Sequence, residues 1–114
     1  MRLRADFDED VGAAYLHVHH GMVSDSLEFE SEVAGGLMMV VADLDLRGGL
    51  VGVELVGEPD RIQALLGNSA FWQELTDLAG RAGEPCAEDF RRIGTALLEH
   101  GFGELFSVRG RGAR

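Results

Sequence analysis

The stretch Leu37-Met38-Met39-Val40-Val41-Ala42-Asp43-Leu44-Asp45-Leu46-Arg47-Gly48-Gly49-Leu50-Val51-Gly52-Val53-Glu54-Leu55-Val56 decides the fold. Two apolar runs flank a glycine pair, and such a pair is a strong hairpin signal because tight hairpin turns need positive φ. Leu37 to Val41 is apolar at every position, which predicts a central strand covered on both faces. Leu50 to Val56 is its partner.

Upstream, apolar residues recur at period two, the strand signature. Leu3, Ala5 and Phe7 alternate with Arg2, Arg4 and Asp6 before Asp8-Glu9-Asp10 interrupts as a polar turn. A second strand runs from Ala13 to His19, with Ala14, Leu16 and Val18 on one face and Ala13, Tyr15, His17 and His19 on the other. His20-Gly21 makes the next turn, Val23, Leu27 and Phe29 mark a third strand, and Gly35-Gly36 breaks it.

Downstream of Pro59 the period changes to three and four, the helix signature. Ile62, Leu65 and Leu66 line a first helix that Pro59 opens and Gly67 closes. Asn68 or Ser69 caps a second, with Phe71, Trp72, Leu75, Leu78 and Ala79 as its apolar side. A third starts at Pro85, carries Glu88 and Asp89 near its positive end, and stops at Gly101. The reading is an α+β fold: an antiparallel β-meander of four to five strands over residues 1–57, then about three α-helices packed on one face. Residues 58–108 complete the same domain, with a short strand available between Phe102 and Val108, and 109–114 form a flexible tail.

Twenty acids stand against ten basic residues, all of them Arg, in a chain of 114 residues. The imbalance is local, because residues 1–60 hold thirteen acids and three Arg while residues 61–114 hold seven of each. A net charge of −10 argues against direct nucleic-acid binding and against docking on an anionic membrane. The uncharged apolar run Val33 to Ala42 is about half the ~18 residues of a membrane span. Asp6 falls where a signal peptide would carry its apolar core, so a cytoplasmic location is expected. The lone Cys86 agrees with a reducing compartment.

Four residue sets invite a chemical reading. If Gly48 and Gly49 are the two central turn residues, Asp43 pairs with Glu54 and, with Asp45, makes an oxygen-rich set suited to Mg²⁺ or Ca²⁺. With a loop from Leu46 to Gly49, Asp43 faces Gly52 instead, and the set is a solvated acidic face. His17 and His19 lie about 6.6 Å apart on one side of a strand and could share a zinc ion, but no third ligand is evident, so solvent-facing histidines are favoured. Cys86 and His100, on one helix, are separated by about 21 Å and form no dyad. The Arg-Gly-Arg-Gly-Ala-Arg end is a solubilising tail before it is a nucleic-acid segment. No phosphate-cradling glycine loop, nucleophile elbow or cysteine-pair zinc pattern is present, so neither a cofactor nor an enzymatic activity is expected.

Phe7 to Val18, Val23 to Ser26, and Asp43 to Glu54 together resemble the bacterial family called domain of unknown function 2283. That family opens with an aromatic, an Asp and a short acidic turn before an Ala-rich strand carrying a Tyr, and closes with an Asp-x-Asp hairpin and a Gly-x-Glu strand. Tyr15, Asp43, Asp45, Gly48, Gly52 and Glu54 fall on those positions. The resemblance spans about residues 3–57 and departs at Gly12 and Ala14. It implies a small β-sheet protein, some of whose relatives look like partners of small toxins.

The expected function is therefore a non-enzymatic, antitoxin-like interaction module whose acidic sheet engages a basic protein, with Asp8, Glu9, Asp10, Tyr15, Glu28 and Glu30 as contact residues. A metal- or small-ligand-binding protein using Asp43, Asp45 and Glu54, or an acidic decoy for nucleic-acid-binding proteins, are the alternatives. An exposed strand edge would also permit a homodimer by sheet extension.

Overall fold

The structure, a computed structural model describing residues 1–33 and 37–111, is an α+β fold. The strands are β1 (Leu3–Asp8), β2 (Ala13–His17), β3 (Asp25–Ser31), β4 (Met38–Leu44), β5 (Leu50–Val56) and β6 (Phe106–Arg111). The helices are α1 (Pro59–Leu66), α2 (Ser69–Arg81), α3 (Cys86–His100) and the single turn α4 (Phe102–Leu105). The Gly35-Gly36 break and residues 112–114 lie outside the described residues.

The expected meander is corrected to one mixed sheet of order β3-β4-β5-β2-β1-β6. β3, β4 and β5 are a true meander, but β2 pairs antiparallel with β5 instead of β3, which makes a Greek key. The chain must then cross three strand spacings, about 14 Å, between β2 and β3. The seven residues 18–24 reach about 23 Å when extended, so they span the end of the sheet without strain.

β6 adds parallel to β1, from Leu3 opposite Phe106 to Asp8 opposite Arg111. Arg109 to Arg111, read as tail, are therefore strand. The physical reason is that β1 would otherwise present an unpaired row of N–H and C=O groups. Among the described residues, no helix is long and apolar enough to cross a membrane.

One face of the sheet is covered by α1, α2 and α3. Leu3, Ala5, Phe7, Leu16, Val40 and Leu55 are buried there with Phe71, Trp72, Phe90 and Ile93 in a single core. The helices form as their end signals require: Pro59 opens α1, and the Asn68 side chain accepts the Ala70 N–H at 2.9 Å to cap α2. β4 departs from the expectation of cover on both faces. Met38, Val40, Ala42 and Leu44 are buried, while Met39 is 44% exposed and Leu37 is 61% exposed. An all-apolar run looks the same in one-sided and two-sided cover, and here the helices fall on one side only.

Cys86 lies in this core, fully buried at the start of α3. Burial pushes its thiol up to about 11, with the carboxylates of Glu84 and Asp89 adding to the shift. Because the thiolate is the reactive form, the folded protein should resist Ellman's reagent at mildly alkaline pH and be labelled only as fast as it opens. Rapid stoichiometric labelling without denaturant is the result that would contradict this burial.

Candidate functional site

The second face of the sheet is left uncovered by the described elements, and its side chains follow from the register. One row across the strands reads Glu28, Val41, Glu54, Tyr15, Asp6 and Arg109. The next reads Glu30, Met39, Val56, Ala13 and Asp8, and the one on the other side places Ser26, Asp43, Gly52, His17 and Arg4 in line.

Tyr15 is the centre of this face. Its hydroxyl donates to Asp43 Oδ2 at 2.8 Å, and Ser26 donates to Asp43 Oδ1 at 2.8 Å, so both carboxylate oxygens are occupied. The ring reaches Asp43 by passing over Gly52, where any Cβ would overlap the phenol. Partial burial, then the carboxylates of Asp43 and Glu54, hold the Tyr15 phenol well above its ordinary range, so it stays a donor.

The register also settles the acidic hairpin. Asp43 faces Gly52 and Glu54 faces Val41, so Asp43 and Glu54 are not cross-strand partners. The connection is a three-residue loop closed by Asp45 and Gly49: the Gly48 N–H donates to the Asp45 carbonyl, and Gly48 takes φ +83°. Asp45 Oδ1 accepts the N–H groups of Gly49 and Arg47, both at 2.9 Å. The Gly49 bond, helped by Arg47 and His19, holds the Asp45 carboxyl below the usual range. The register then shifts at Asp43/Leu44, which buries both Leu50 and Val51. The Leu50 N–H is taken by Asp89 Oδ2 on α3 at 3.0 Å.

The expected metal set is thereby divided: Asp43 is held by Tyr15 and Ser26, Asp45 closes the hairpin loop, and Glu54 stands opposite Val41. The His17 and His19 pair is divided likewise, because His17 Nε2 lies 2.9 Å from Asp6 Oδ2 and His19 Nε2 lies 3.4 Å from Asp45 Oδ2. Among the described residues, no group of three or more His, Cys, Asp or Glu side chains is arranged to hold a metal ion.

Of the expected contact residues, Tyr15, Asp8, Glu28 and Glu30 share the uncovered face, and Glu9 and Asp10 occupy the turn at its end. A shallow cleft of about 250 Å³ opens there, walled by Asp6, Asp8, Val11, Ala13, Tyr15 and Glu54. Sequence reading passed over Arg4 and Asp6. The Arg4 Nε lies 3.3 Å from Asp6 Oδ2, and its Nη2 lies 3.2 Å from His17 Nε2. A neutral imidazole can accept from Arg4 or donate to Asp6 through that nitrogen, and its tautomer decides which. The alternation Arg4-x-Asp6 opposite Tyr15-x-His17 was the available signal. No protein-family model, curated protein or solved structure matches the chain.

Proposed function

We propose that the chain is a non-enzymatic, antitoxin-like interaction module that binds a basic protein through the uncovered face of its sheet. The observation that carries the reading is an apolar strip rimmed by carboxylates. Met39, Val56 and Ala13 are adjacent across β4, β5 and β2, and Met39 and Val56 are 44% and 46% exposed. Glu30 and Asp8 end the strip, and Glu28 and Glu54 lie beside it.

An exposed apolar patch with a polar rim is the usual anatomy of a protein contact. The rim would steer a basic partner and exclude acidic ones, and the strip would supply the desolvated centre. The resemblance to domain of unknown function 2283 supports the same reading, since its matching positions Tyr15, Asp43, Gly52 and Glu54 all contribute to this face.

Affinity capture from a host lysate tests it, with the parent chain beside a Glu28→Lys/Glu30→Lys/Glu54→Lys variant and a Met39→Ser/Val56→Ser variant. The parent should retain a basic protein at low salt and lose it at high salt, and both variants should fail to retain it. Retention by the charge-reversed variant, or recovery of no basic protein, would overturn the proposal. Broad recovery of nucleic-acid-binding proteins would replace it with the decoy reading.

A further inference from the structure

Two arginines and three histidines of this acidic chain meet at one end of the sheet. Arg2, Arg4, His17, Val18, His19 and His20 line a cleft of about 230 Å³ at the end of β1 and β2 remote from their connecting turn. Residues 1–60 contain three Arg, and two of them are here, together with three of the chain's four His. Thirteen acids in the same segment contribute none of the lining.

Two local features build the cleft. Arg4 on β1 is the cross-strand partner of His17, and Arg2, the residue just before β1, lines the same opening. Past His17, the N–H groups of Val18 and His19 both donate to the Val51 carbonyl, at 2.9 and 3.2 Å. That shared acceptor turns the chain out of the ladder and brings His19 and His20 round to the same opening.

The counter-charges are unequal. Asp6 pairs with Arg4, and Asp45 faces His19. Among the described residues, Arg2 has no carboxylate within ion-pair distance. Its Nη1 donates instead to the main-chain carbonyl of Glu104 at 2.8 Å. A neutral acceptor fixes the guanidinium without cancelling its charge, and the other guanidinium N–H groups stay available. An oriented, uncompensated Arg beside a second Arg and imidazole N–H groups is the donor set that suits a tetrahedral oxyanion.

We propose that this cleft binds a compact dianionic oxyanion of the phosphate class, with Arg2 as the principal charge and Arg4, His19 and His20 as further donors. The cleft has room for a small ester substituent beside the oxyanion. This site is separate from the apolar strip and does not rest on the partner-binding reading. Two charge-assisted donors against competing Asp6 and Asp45 correspond to a dissociation constant on the order of 1 mM.

The test is amide NMR of the full chain, titrated into the millimolar range at constant ionic strength with inorganic phosphate, with glycerol phosphate and with chloride. Saturable shifts confined to residues 2–4 and 17–20 are expected with phosphate. Arg2→Gln should weaken binding about ten-fold, the loss of one charge-assisted contact. His20→Gln, an exposed substitution, should weaken it measurably as a second check. Tighter binding of glycerol phosphate would identify a phosphomonoester as the ligand, and equal or weaker binding would identify the free anion. Shifts that do not saturate, an equal response to chloride, or parental affinity in Arg2→Gln would each overturn the site.

Discussion

Trp72→Ala is expected to lose about 3–5 kcal/mol of stability, the range for deleting a buried aromatic side chain. Trp72 is fully buried on α2 and touches every layer of the core. It stacks on Phe106 of β6 with centroids 6.2 Å apart, meets Phe71 edge-on at 5.0 Å, and lies 6.3 Å from Phe90 of α3. Its Nε1 donates to the Leu66 carbonyl at 2.9 Å, satisfying one of the C=O groups that the end of α1 leaves without a helical partner. At Gly94 a Cβ would come within 3.1 Å of the Trp72 Cβ, so α3 packs closely on this residue and cannot easily move in to fill the void.

The conservative variant divides the cost. Trp72→Phe keeps most of the ring volume but removes the indole N–H, and leaving the Leu66 carbonyl unpaired should cost about 1–3 kcal/mol. Urea unfolding followed by circular dichroism measures both variants without depending on the lost fluorophore. A loss below about 1 kcal/mol for Trp72→Ala would contradict the packing described.

Gly52→Ala is expected to cost about 1–3 kcal/mol, because the new methyl group must displace the Tyr15 ring. The displaced phenol gives up Asp43, and the uncovered face loses its central contact. A double-mutant cycle isolates the cause. In a Tyr15→Ala background the same Gly52→Ala change should be nearly neutral, since the space is then free. An equal cost in both backgrounds would place the penalty in the strand itself and not in the phenol.

The alkaline behaviour of Tyr15 supplies an independent reading. Its folded value is raised, so its hydrogen-bonded neutral form contributes stability that is complete below the ordinary phenol value, about 10, and is lost as pH rises above it. Tyr15 is the chain's single tyrosine, so its ultraviolet ionisation signal is unambiguous. The parent should ionise late and lose stability as it does. In Gly52→Ala the dislodged phenol should ionise nearer its ordinary range, with a shallower alkaline loss.

Particular residues show why parts of this architecture were legible in sequence and others were not. Asn68, Pro59 and the three-and-four spacing of Phe71, Trp72 and Leu75 act within one turn of backbone, and α1, α2 and α3 form where those signals stand. The hairpin at Gly48 was equally visible, but its register was not. That register depends on Gly48 at positive φ, on the irregularity at Asp43/Leu44, on Asp45 accepting two N–H groups and on Asp89 holding Leu50 from α3, 39 residues away. The Tyr15–Asp43 bond spans 28 residues and exists only because β2 lies against β5.

Periodicity, caps and turns thus suffice for the strands before Pro59 and the three long helices after it, because each signal acts between near neighbours in the chain, and the count of charges alone places the net negative charge in the first sixty residues. Strand order, the parallel β6, the one-sided cover of β4, and the meeting of Arg2 and Arg4 with His19 and His20 were decided by the tertiary structure. Those features follow from which apolar faces the helices bury and which strand edges find partners, and that competition is resolved only when the whole core closes at once.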